Sequence, residues 1–140
     1  MLRAVVDPNV LISAAVSPLG IPATVVRAAF ARRFVLIACP HLLHELADVL
    51  ERPKFRRYFD LDQAHELVDN IAGVAEIVPD PEIIGALTRD PTDDYLVALA
   101  RSVEADRIVS GDADLLALSS SQPPILSPRR FLEALGGERP

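Results

Sequence analysis

One cysteine, one methionine and no tryptophan occur in 140 residues. A single thiol excludes an internal disulfide. Its setting in "VLIACP" reads Cys39 as buried and inert, which suits a reducing cytoplasm. Long apolar runs are also missing: each is cut short by Arg, Pro or Asp, so no membrane-spanning helix is expected. "MLRAVVD" has one Arg and no apolar region of signal-peptide length, so no secretory signal is expected either. No Walker loop, Gly-x-Gly-x-x-Gly or Gly-x-Ser-x-Gly elbow is present, which removes support for nucleotide-binding and serine-hydrolase chemistry. Basic residues are scarce as well, 14 against 20 acidic, and the net charge of −6 lacks the usual basic excess of a nucleic-acid binder. An enzyme that gathers carboxylates into one pocket can be acidic overall and still keep a basic rim.

What is present is a chain rich enough for one packed domain. Half the residues are hydrophobic and 24% are charged, a balance of ordered globular proteins. Short apolar runs at 3–7, 34–38, 75–79 and 107–110 read as buried strands, with a fifth expected at 124–127. Helical patterns fall between them: from Val10, from Pro22 to about Arg33, then at 40–52, 62–74, 93–104, a short one at 112–118, and 128–135. Strands alternating with helices predict a parallel sheet of four to five strands in a three-layer α/β/α domain. The domain is expected to span 1–135, with 136–140 a frayed tail.

Such sheets collect functional groups beyond the carboxyl ends of their strands. Asp7 follows the first strand, and Asp112 and Asp114 follow the fourth. Asp94 begins the helix that leads into the fourth strand. Glu45 lies about 8 Å into the helix after the second strand, at 1.5 Å per residue. All five acids map to one sheet edge. On the helical wheel Leu42, Leu43, Leu46, Val49 and Leu50 form an apolar arc, His44, Asp48 and Glu51 avoid it, and Glu45 borders it. The competing explanation is capping. Asp-Pro pairs at 7–8, 80–81 and 90–91 are good helix starts, and Asp94 and Asp112 could also cap. Capping leaves Glu45, a mid-helix acid, without a reason. Carboxylates packed together repel unless a cation joins them, and an all-oxygen set selects Mg²⁺ or Mn²⁺. Phosphodiester cleavage is the chemistry such ions serve.

"VVDPNVLISA" (5–14), "PHLLHELADVL" (40–50), "DDYLVALA" (93–100) and "IVSGDADLL" (108–116), in that order, resemble a PIN domain. Within that family they resemble in particular the VapC-like ribonuclease toxins of toxin–antitoxin pairs. The resemblance implies metal-binding, catalytic acids at Asp7, Glu45, Asp94 and Asp112, with Asp114 an additional metal ligand. It also implies supporting roles for Asn9, orienting the first carboxylate, and for Ser110. It further implies a cytoplasmic endoribonuclease dependent on Mg²⁺ or Mn²⁺, a homodimer, and a cognate antitoxin. Arg52, Lys54, Arg56 and Arg57, interleaved with Phe55, Tyr58 and Phe59, are the expected RNA-holding rim, or else a solvated face over core aromatics. One departure stands out. The family usually has Thr or Ser where this chain has Pro8, which keeps open a catalytically weak or inactive PIN-like module that binds RNA or protein.

Two further readings are weaker. His41 and His44 hint at zinc but lack the His-Glu-x-x-His order and a third soft ligand nearby. An aspartyl-phosphate phosphatase would need Asp two residues after Asp7, where Asn9 stands. His65 is expected to be solvated.

Overall fold

The computed structural model describes residues 1–82, 91–118 and 122–137, and the side chains of 91–94 lie outside the described residues. Five strands form one sheet: β1 (Arg3–Val6), β2 (Val35–Ala38), β3 (Glu76–Ile77), β4 (Arg107–Val109) and β5 (Ile125–Leu126). The order is β3-β2-β1-β4-β5 and every pairing is parallel. The helices are α1 (Pro8–Val16), α2 (Ile21–Phe30), α3 (Pro40–Leu50), α4 (Leu61–Val74), α5 (Pro91–Ser102), α6 (Ala113–Leu116) and α7 (Pro128–Gly137), with a single 3₁₀ turn at Pro53–Phe55. This is the expected three-layer α/β/α arrangement around a parallel sheet.

Proline places most helix starts. Pro8, Pro22, Pro40, Pro91 and Pro128 all fall at the first or second helical position, where a missing N–H costs nothing. Helix ends were harder to foresee. α2 stops at Phe30 rather than Arg33, and α5 at Ser102 rather than Glu104. Both close in the same way. Arg32 (φ 57°) and Glu104 (φ 52°) adopt left-handed backbone, and the next N–H groups, of Arg33 and Ala105, reach back to the Ala28 and Ala100 carbonyls at 2.9 Å. Glycine usually marks that turn, and neither site has one. α7 continues to Gly137, two residues past the expected domain end, and 138–140 lie outside the described residues.

The core is continuous through the sheet. Val5 pairs with Ile37 on one side and Ile108 on the other, and all three are fully buried. Helices α1 to α4 pack against one another, while α5 lies on β1 and β4. Among the described residues no single helix is long and apolar enough to cross a membrane. The chain leaves β1 toward β2 and β3, then returns to β4 on the opposite flank. That reversal beside β1 is the topological switch point, where parallel sheets open a crevice.

Candidate active site

Asp7 stands at that crevice. Its N–H still donates into the sheet, to the Val109 carbonyl at 2.9 Å, so its backbone is fixed by β4. Its side chain is only 4% exposed. Oδ1 accepts the Asn9 backbone N–H at 2.9 Å and caps α1, and Oδ2 accepts the Ser110 hydroxyl at 2.8 Å. Ser110, fully buried, is itself held by its N–H on the Leu126 carbonyl of β5 at 3.0 Å. The same hydroxyl accepts the Asp112 N–H at 3.0 Å. One buried serine therefore ties the acid after β1 to the acid after β4. Asp112 caps α6 through Oδ1, which accepts from the Asp114 and Leu115 N–H groups at 2.7 and 3.2 Å. Asp7 and Asp112 each cap a helix with Oδ1 alone, so capping by itself does not exclude a second role for either.

Glu45 is half-buried on α3, as its place beside the apolar arc implied, while His44 and Asp48 are exposed and pair with each other at 3.4 Å. Glu45 Oε2 accepts the Tyr95 hydroxyl at 3.1 Å. Tyr95 was missed in the sequence, where a tyrosine beside an acid in "DDYLVALA" reads simply as core. It is 3% exposed and stacks edge-on against His41 at 4.6 Å. Burial pushes its phenol well above the ordinary tyrosine range, and the charges of Glu45, Cys39 and Asp7 add to that shift. Both Asp7 and Glu45 therefore lie within electrostatic reach of one buried phenol.

The remaining expectations fall out unevenly. Asp94 lies on α5, but its side chain is outside the described residues, as is all of Asp90. Asp114 is exposed and contributes its N–H to Asp112. Asn9 orients Asp7 through its backbone, and its own side chain is exposed. Among the described residues Asp80 starts no helix of its own. Its carboxylate accepts the His41 N–H at 2.8 Å and so caps α3, whose preceding residue Cys39 supplies no side-chain cap. That bond holds the Asp80 carboxyl below its usual range. Burial pushes the Cys39 thiol up to about 11, so it stays protonated at neutral pH. His65 is exposed, as expected, and its Nε2 sits 3.1 Å from Glu51 Oε1.

The basic cluster follows the far end of α3. α3 starts directly beyond β2 and runs 11 residues, so Arg52 begins about 16 Å from its first turn at 1.5 Å per residue. Arg52, Lys54 and Arg57 are exposed. Arg56 is half-buried, and its guanidinium donates to the Leu50 and Arg52 carbonyls, closing the end of α3. That hydrogen bonding commits Arg56 to the fold rather than to an open phosphate-binding surface.

Among the described residues no three His, Cys, Asp or Glu side chains come together as a metal site. Asp7 and Asp112 are linked through the Ser110 hydroxyl and Glu45 accepts from Tyr95, so the acids near this sheet edge offer oxygen donors, while the one thiol stays neutral. That chemistry fits a hard divalent cation.

A family profile described as PIN domain matches residues 3–114. The chain belongs to the PIN domain family. Among curated proteins, this PIN domain is 27% identical over 117 residues to the uncharacterized protein MJ1680 of Methanocaldococcus jannaschii, covering 84% of this chain and 75% of that protein. Among solved structures, it resembles PAE2754 from Pyrobaculum aerophilum, with a TM-score of 0.67, 17% identity, and coverage of 98% of this chain and 91% of the other. It also resembles a chain of VapBC2 from Rickettsia felis, a structure bound to a promoter DNA fragment, with a TM-score of 0.58 and 12% identity. That match covers 89% of this PIN domain and 97% of the other chain.

Proposed function

We propose that this PIN domain is a divalent-metal-dependent endoribonuclease and the toxin component of a toxin–antitoxin pair. One observation carries the reading: the Ser110 hydroxyl holds Asp7 and Asp112 together at the carboxyl edge of the sheet, beside the switch point. Family membership and the likeness to VapBC2 support it. The proposed ligands of Mg²⁺ or Mn²⁺ are Asp7, Glu45, Asp94 and Asp112, with Asp114 at the margin. When bound, the cation supplies neutralisation of the phosphate charge and activation of a water.

The chain's own part is preorganisation. Asp7 is clamped at both oxygens, Oδ1 by a backbone N–H and Oδ2 by a serine hydroxyl, so its rotamer is fixed before substrate arrives. Tyr95 holds Glu45 at one oxygen, Oε2. Outer partners of this kind usually set ligand basicity and direction. No side-chain nucleophile is required. RNA as substrate, a homodimer, a cognate antitoxin and a cytoplasmic setting belong to the same proposal.

The test is cleavage of end-labelled single-stranded and structured RNAs by purified protein with Mn²⁺. Cutting that stops with EDTA and with Asp7→Asn supports the reading. Intact RNA, or cutting indifferent to Asp7→Asn, refutes it. A second reading, an inactive module that binds RNA or protein, rests on Pro8, which is buried at the first turn of α1 and provides no hydroxyl beside Asp7. Binding of RNA without cleavage is its signature.

A further inference from the structure

A cavity of about 280 Å³ opens beside the acids, between α1, the loop after β4 and the start of α7. It shares Asn9 and Asp112 with the site, and Ser13 adds a hydroxyl one turn along α1. Val10, Pro22 and Pro128 give it apolar walls. Its size falls just under the roughly 300–1,000 Å³ of pockets that enclose drug-sized ligands, which suits one nucleoside rather than an oligonucleotide.

We infer that this cavity is a subsite for the base of the nucleotide flanking the cleaved phosphate, with Asn9 and Ser13 reading its edge. The inference rests on the proposed nuclease reading and names where that activity acquires base preference. Asn9 is suited to the task because its backbone, not its side chain, holds Asp7. The exposed amide offers a donor and an acceptor side by side, the pattern that base edges present. The apolar walls receive the base faces, and single-stranded RNA is read in this way, with bases splayed from the stack. Gly111 extends the opening: a Cβ added there meets nothing within 4 Å.

The experiment is a backbone-amide NMR titration of the full chain with each of the four nucleoside 5′-monophosphates in Mg²⁺, with ribose 5-phosphate as the baseless control. A bidentate contact to a base edge is worth about 1–3 kcal/mol, so the preferred nucleotide should bind roughly 5- to 150-fold tighter than ribose 5-phosphate. Saturable shifts at Ser13 and Gly111 should accompany it. Ser13→Leu, which fills the cavity from an exposed helix position, should erase that advantage. Its thermal unfolding, measured in parallel, shows that the fold survives. Ribose 5-phosphate binding as tightly as every nucleotide overturns the inference, as do unmoved Ser13 and Gly111 amides. RNA cleavage by the wild type alongside such a null titration overturns this inference alone, whereas base-dependent binding without cleavage overturns only the nuclease reading.

Discussion

Ser110→Ala removes one buried oxygen and breaks two hydrogen bonds, to Asp7 Oδ2 at 2.8 Å and from the Asp112 N–H at 3.0 Å. The first involves a carboxylate that is 4% exposed. A hydrogen bond to a charged group contributes about 1.5–3 kcal/mol and a neutral one about 0.5–1.5, so the expected loss is about 2–4 kcal/mol. Against a total stability of about 5–15 kcal/mol for a domain, this is a large fraction. With a urea m-value near 2 kcal/mol/M, the midpoint should fall by about 1–2 M. The assay is urea unfolding at pH 7 in EDTA, so that no metal masks the change. In an Asp7→Asn background the same substitution should cost less, about 0.5–1.5 kcal/mol for the remaining Asp112 N–H bond, because the charge that the hydroxyl served is gone. A wild-type-like midpoint for Ser110→Ala, or an equal loss in both backgrounds, would refute the coupling.

Two other outcomes follow from the surrounding groups. The thiol of Cys39 is raised from 9.0 to about 11, so the unfolded chain loses its proton first as pH rises. The stability that this group contributes is whole below pH 9 and is lost as pH climbs toward 11. Thermal unfolding across that range should show a steeper decline for the wild type than for Cys39→Ala, and equal slopes would contradict the burial argument. Tyr95→Phe keeps the ring against His41 but frees Glu45 Oε2. Calorimetric titration with Mn²⁺ should weaken by about 10-fold or more, the usual effect of losing an outer partner. Unchanged affinity would show that the phenol only packs.

Much of the fold was readable because its signals are local. "RAVV" and "VLIA" are β-branched, apolar and short, and proline sits inside the start of five helices. The place of Glu45 was also readable, since a wheel of 11 residues shows which face it borders. Features that depend on distant partners were not. Asp80 looked like the start of a new helix, yet it caps α3 across 39 residues of sequence. Arg56 looked like its basic neighbours until the Leu50 carbonyl claimed its guanidinium. Ser110 was noted only as a supporting residue, and its role as the link between two acids depends on β1 and β4 being adjacent. Tyr95 gave no local signal at all, because its partner Glu45 lies 50 positions earlier.

Diffraction from crystals grown in Mn²⁺, collected for anomalous signal, tests the account where it is most exposed. The account predicts a peak directly coordinated by an Asp7 oxygen and shared with at least one of Glu45, Asp94 and Asp112. A peak elsewhere on the molecule, or none beside Asp7 at millimolar Mn²⁺, contradicts it.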